Sequence, residues 1–228
     1  MSEDSINANH RNSDIIVDSL EEAVVDLEPR VLFQPEFAVV HGISTGKRAG
    51  VFGSSVRNVG VWGKSEQDYA GKFEGNIQVV GDIEVSGDIR LTNADCAEEF
   101  DVVEGETIEP GTVMVIGNDG VIMASSRPYD KRVAGVISGA GCYKPGIVLD
   151  KQVSENERKP VALLGKVYCK VDSQYGAIEV GDLLTTSPSR GYAMKASDPI
   201  KALGAVLGKA LSPFSGGQGV IPIIVLLS

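Results

Sequence analysis

Apolar side chains alternate with polar ones through Gly75–Thr92, and the alternation falls into three hexapeptides: Gly75-Asn-Ile-Gln-Val-Val80, Gly81-Asp-Ile-Glu-Val-Ser86 and Gly87-Asp-Ile-Arg-Leu-Thr92. A period of two predicts strand. The Gly-Asx pair opening each unit predicts a corner, because glycine accepts positive φ and an Asx side chain satisfies nearby backbone groups. Three hexads make roughly one triangular coil, whereas a repeat generally needs about three stacked neighbours to bury its apolar face. Neighbours borrowed from identical chains supply the missing layers. The pattern therefore predicts an intertwined homotrimeric β-prism or β-helix, with Ile77, Val79, Ile83, Val85, Ile89 and Leu91 at the interface between chains.

A second repeat precedes the hexads. Gly50-Val-Phe-Gly-Ser-Ser55 returns ten residues later as Gly60-Val-Trp-Gly-Lys-Ser65, with a degraded third copy at Ala70-Gly-Lys-Phe-Glu-Gly75. Fixed spacing around a Gly-apolar-aromatic centre predicts short strands and turns repeated along an axis. Trp62, in register with Phe52 and Phe73, is read as a packing residue in preference to a sugar-stacking platform.

Helical periodicity occurs once. Val17, Leu20, Val24 and Leu27 are spaced three, four and three, the a/d rhythm of a short coiled coil. Two heptads are marginal in water. The segment is either a trimerising mini-coil or a docking helix held by another protein, and amphipathicity alone does not choose between them.

Beyond Thr92 the chain becomes a series of short apolar runs broken by Gly, Pro and Asp, which predicts a β-barrel or sandwich. It also repeats itself. Ile108-Glu-Pro-Gly111, Gly120-Val-Ile-Met123 and Gly135-Val-Ile-Ser-Gly139 are answered near seventy residues later by Ile178-Glu-Val-Gly181, Gly191-Tyr-Ala-Met194 and Gly204-Ala-Val-Leu-Gly208. The copies are expected to pack as related halves of one domain. Lys151–Pro160 reads as a charged loop, Val161–Val171 as strand, and Val220–Leu227 as a strand either fully buried or at the trimer interface. The expected organisation is an acidic attachment segment with a short helix (1–48), a β shaft (49–93) and a β domain (94–228), mainly β overall.

Composition then narrows the function. The chain of 228 residues has a formal net charge of −10, and seven of those ten excess charges lie in residues 1–40, where nine acids face Arg11 and Arg30. Phosphate binding needs clustered Lys and Arg, so neither a nucleic acid nor an anionic membrane is an expected partner. The apolar run Val220–Leu227 is far short of the ~20 residues that span a bilayer, and the polar first twelve residues carry no signal-peptide core. Synthesis in the cytoplasm, then incorporation into a particle, is the expected route. Cys96, Cys142 and Cys169 show no CxxC spacing, which suits buried reduced thiols.

The ingredients of catalysis are sparse. His10 and His41 belong to no metal motif. Gly42-Ile-Ser-Thr-Gly46-Lys47 lacks the spacing of a phosphate loop, and Arg48 stands where a hydroxyl is required. Cys96 is flanked by Asp95, Glu98 and Glu99, whose charge opposes a thiolate. The pairs Glu98–Glu99 and Glu104–Glu106 are adjacent acids, whereas glycosidases need two carboxyls set apart across a cleft. No catalytic residue, cofactor or metal is expected.

The Gly-Val-aromatic-Gly-x-Ser units passing into Gly-Asp-Ile-x-Val hexads resemble the shaft repeats of phage tail fibres, tailspikes and the fibres of phage-tail-like contractile injection systems. The junction Ala94-Asp-Cys-Ala-Glu-Glu-Phe100, followed by Glu109-Pro-Gly-Thr-Val113, resembles the Ala-Asp-Tyr-Ala-Glu entry to the C-terminal domain of many such fibres, and is similar to the autoproteolytic chaperone domain called peptidase G2. Cys96 replaces the usual Tyr. The resemblance covers roughly residues 49–228. It implies a structural homotrimer attached through its N-terminus to a baseplate or other particle component, with two alternatives: a tip that recognises a host glycan or protein, and a self-processing chaperone.

Overall fold

A computed structural model of the chain describes residues 51–103, 105 and 107–226. The candidate coil positions Val17, Leu20, Val24 and Leu27 lie outside the described residues, as do Glu104 and Glu106. The chain divides into two compact units, 1–82 and 83–228. Residues 51–94 contain bends and extended segments without a hydrogen-bonded strand. The strand that the period-two pattern predicts at 75–92 is not formed among the described residues, because no described segment pairs with that stretch.

From Asp95 onward the regular structure is mainly β. Ten strands follow one another: β1 (Asp95–Asp101), β2 (Val113–Ile116), β3 (Ile122–Ala124), β4 (Val133–Ile137), β5 (Pro145–Leu149), β6 (Arg158–Asp172), β7 (Leu183–Thr186), β8 (Ala193–Lys195), β9 (Val206–Ala210) and β10 (Gln218–Leu226). A four-residue helix, α1 (Pro199–Ala202), stands between β8 and β9. It is capped by Asp198, whose carboxylate accepts from the N–H groups of Ile200 and Lys201.

The fifteen-residue β6 organises the domain. Following the pairings β6-β8-β7-β9-β10 and back from β10 to β6 closes a five-stranded barrel. This decides between the two expected architectures. Closure leaves no free edge among those five strands. The N-terminal half of β6 carries β4, which leads on to β2 and β3, and also carries β1, which leads on to β5.

The internal repeat is visible as geometry. β2 pairs antiparallel with both β3 and β4, and β7 pairs antiparallel with both β8 and β9. The register slips between Met114 and Val115 in the first copy and between Leu184 and Thr185 in the second. Gly111 and Gly181 have φ of 88° and 89°, and their N–H groups donate to Ile137 and Ala210 carbonyls at 2.8 and 2.9 Å. One detail of the expected correspondence changes. Met114 faces Gly135, and Leu184 faces Gly208, so the partner of Gly135 is Gly208 and not Gly204. The spacing between copies, seventy residues at Met114 and Leu184, widens to seventy-three here. The connection holding α1, residues 196–205, is longer than its counterpart, residues 125–132.

Both glycines are required by the same close approach. A Cβ on Gly135 would collide with the Ala162 carbonyl oxygen, and one on Gly208 with the Ile224 carbonyl oxygen. Two apolar clusters fill the domain. Val167, Cys169, Val171, Leu184, Leu207, Ile221, Ile223 and Val225 line the barrel, while Met114, Ile122, Ile137 and Val161 pack with Val102 and Ile108 beneath the first copy.

Candidate functional site

The residues expected at a chain-to-chain interface are all exposed in the isolated chain. Ile77, Ile83 and Ile89 show 64, 71 and 69% of their surface, and Val79, Val85 and Leu91 show 48, 46 and 48%. These values repeat with the hexad, so each unit holds its third and fifth side chains in the same way. Gly75 and Gly81 adopt φ of 124° and 132°, as the corner reading requires, while Gly87 does not enter the positive region. Trp62, Phe52 and Phe73 are exposed as well, so the packing expected of them has no partner within the described chain.

The ten-residue repeat leaves a clear signature in hydrogen bonds. Asn58 N–H donates to Ser55 Oγ and Val59 N–H to Asn58 Oδ1, at 3.1 and 2.8 Å. Ten residues on, Asp68 N–H donates to Ser65 Oγ and Tyr69 N–H to Asp68 Oδ1 at the same distances. Ser and Asx side chains thus close successive turns by taking the place of backbone acceptors. Polar groups hold the turns, and the apolar side chains are left outward.

Three polar arrangements in the β domain were not legible in the sequence. The first is a hub on Arg158, whose guanidinium bonds Asp150 Oδ2 at 2.5 Å, the Glu99 carbonyl at 2.5 Å and Asp101 Oδ1 at 3.3 Å. Its Nε is buried without a hydrogen-bond partner, the Glu99 carboxylate being 3.9 Å away. Asp150 is held below the ordinary carboxylate range by the Gln152 amide and by Arg158. The cluster fastens the start of β6 to β1 and to the loop after β5. The second is Asp95, 4% exposed, whose Oδ2 accepts from Ser138 Oγ at 2.8 Å while Oδ1 has no partner. Burial pushes its pKa up, and the Ser138 bond opposes this only in part. The third is Asp172, fully buried, which accepts from Ser189 Oγ, Gln174 N–H and Gln218 Nε2 at 2.6, 2.9 and 3.1 Å. Burial raises its pKa, but these bonds outweigh it and the net shift is downward.

The cysteines do not share one environment. Cys169 is buried, and burial pushes its thiol far up, while Cys142 is exposed and Cys96 is partly so. The expectation of buried thiols therefore holds for Cys169 alone. Glu98 and Glu99 sit consecutively on β1, so their side chains point to opposite faces. Among the described residues no group of three or more His, Cys, Asp or Glu is placed to hold a metal ion.

No protein-family profile matches the chain, and no curated protein matches it. Among solved structures it is similar to the pre-mature gene product 12 of bacteriophage phi29, at 16% identity and a TM-score of 0.47, over 64% of this chain and 23% of that one. The chain therefore spans about a quarter of that protein's length. Two further similarities are to a capsid structure of Myoviridae phage XM1 (17% identity, TM-score 0.37, 65% and 92% covered) and to the phi29 head fibre gp8.5 N base (19%, 0.27, 58% and 90%). At these identities and scores the likeness carries no inference about this chain, and the functional reading rests on its own residues.

Proposed function

We propose that the protein is a structural subunit of a homotrimeric fibre or spike in a phage tail or a phage-tail-like contractile injection system. The observation that carries this reading is the uncovered stripe Ile77, Val79, Ile83, Val85, Ile89 and Leu91. Burial of such side chains is worth about 1.5–3 kcal/mol each, and their regular spacing gives three chains a common seam. Folding and assembly are then one process, as in obligate oligomers. The acidic N-terminal segment attaches the subunit to a baseplate or other particle component, and the barrel domain terminates the shaft.

The experiment is a pair of substitutions, Ile83→Asp and Val85→Asp, with molar mass read by light scattering. The wild type is expected at three times the chain mass and the double variant at one. A double variant that stays trimeric would remove the seam from this account.

A second reading, the self-processing chaperone, draws on Asp95. Its carboxyl lies at the entry to the β domain, deprived of water and of a partner for Oδ1, and so holds its proton at higher pH than a surface acid, a property useful to a general acid. Intact mass of freshly purified protein tests it: an uncut chain eliminates self-processing, and a fragment pair that disappears in Asp95→Asn supports it.

A further inference from the structure

The two copies of the meander part company in the connection before their third strand. Residues 196–205 carry α1, whereas residues 125–132 of the first copy carry no helix. The added turn is firmly seated. Ala202 is buried, and the Ala205 carbonyl accepts from Thr185 Oγ1 at 2.7 Å. The two connections also lie against each other: the Asp198 N–H donates to Tyr129 Oη at 3.0 Å, and a Cβ on Gly204 would stand 4.0 Å from Lys131 Cδ.

On this anchored turn Ile200 and Leu203 are 87 and 77% exposed. Among the large apolar side chains described in the β domain, only Val153 is more exposed. Single exposed aliphatics are ordinary. Two that are three residues apart share one face of a turn, and side chains so little covered by their own protein stand on a protrusion and cannot line a groove.

The charge beside them runs against that of the whole chain. Within 125–132 and 196–204, Arg127, Lys131, Arg132 and Lys201 meet only Asp130 and Asp198. Arg132 pairs with Asp130 at 2.7 Å and Lys201 with Asp198 at 3.4 Å, which leaves exposed Arg127 and Lys131 in surplus. The net charge of −10, lying mainly in residues 1–40, conceals this basic tip.

We infer that the α1 tip is a peripheral anchor for an anionic lipid bilayer, with Ile200 and Leu203 entering the acyl boundary and Arg127 and Lys131 meeting the headgroups. Aliphatic side chains flanked by bases are what such a surface binds, the apolar part sinking about 5–10 Å and the cations drawn by the negative surface potential. A protruding wedge suits lipids, which part around it, whereas a protein partner would need a pocket already shaped to it. The local surplus thus replaces the expectation, drawn from net charge, that no anionic membrane is a partner. The inference depends neither on the shaft nor on how many chains assemble.

The test is co-sedimentation of the full-length protein with vesicles. It should pellet with equal parts phosphatidylglycerol and phosphatidylcholine, stay in solution with phosphatidylcholine alone, and be released as ionic strength rises. Ile200→Ser/Leu203→Ser and, separately, Arg127→Ser/Lys131→Ser should each weaken binding by about tenfold or more. All four side chains are exposed, so an unchanged Tm is expected and shows that the fold is intact. A wild type that ignores the anionic vesicles overturns the inference, as does an Ile200→Ser/Leu203→Ser protein of unchanged Tm that binds them normally. Two further results would also overturn it by giving the tip another occupant: capture of polyglutamate in place of vesicles points to an acidic protein, and a molar mass that falls in Ile200→Ser/Leu203→Ser points to another copy of the chain.

Discussion

Two buried aspartates show how environment, not residue type, sets the sign of a charge's effect. Asp172 has its oxygens filled by three donors, so its folded pKa lies below the unfolded value of about 3.9. Its contribution to stability is present above that value and is lost as pH falls through the folded pKa. Asp172→Ala strands Ser189, Gln174 and Gln218 and should cost about 1–3 kcal/mol, read by chemical denaturation at pH 7. Asp95 behaves in the opposite sense. Its folded pKa is raised by burial, so the native state binds the proton more tightly and stability declines as pH climbs from the unfolded towards the folded pKa. Asp95→Asn should therefore raise Tm at pH 7, with the gain shrinking below pH 4. An equal gain at both pH values would show that burial of charge is not the cause. Neither aspartate announces itself in the sequence, because Ser138 lies 43 residues from Asp95, and Ser189 and Gln218 lie 17 and 46 residues from Asp172.

At the scale of elements, the sequence was most informative where local chemistry repeats. Fixed spacing disclosed the ten-residue turns, and the same Ser and Asx bonds recur in the structure. The duplicated meander was legible for the same reason, and the strand at 161–171 from its apolar run, although it begins at Arg158 and so takes in the last three residues of the expected charged loop Lys151–Pro160. What escaped was the alignment of the third strand of each copy. Gly204 follows an attractive Gly-apolar pattern, yet pairing with the opposing carbonyl selects Gly208, and only the folded register reveals that choice. The equivalence is testable. Gly135→Ala and Gly208→Ala both drive a methyl into a neighbouring carbonyl and should each destabilise by about 1–3 kcal/mol, whereas Gly204→Ala meets open space apart from the end of Lys131 and is penalised only for its positive φ. A Gly208→Ala protein as stable as wild type in guanidinium would contradict the assigned register.

For the whole molecule, the hexads carry the trimeric reading proposed above. Their alternation predicts strand, but a strand requires a hydrogen-bonding neighbour, and the described chain offers 51–94 none. Periodicity identifies the apolar face, and in the trimeric reading proposed above its cover is a second chain. If assembly supplies it, apparent stability follows mass action. The Tm of the wild type should rise with protein concentration in calorimetry, and that of Ile83→Asp/Val85→Asp should not. The barrel domain has a different kind of unity. Both meanders lean on β6, the first on its beginning and the second on its end, so although the domain is written twice, no cut in the polypeptide yields two self-sufficient pieces. A duplication that shares its supporting strand can diverge in its loops, as α1 has, but neither half can be inherited, lost or melted without the other.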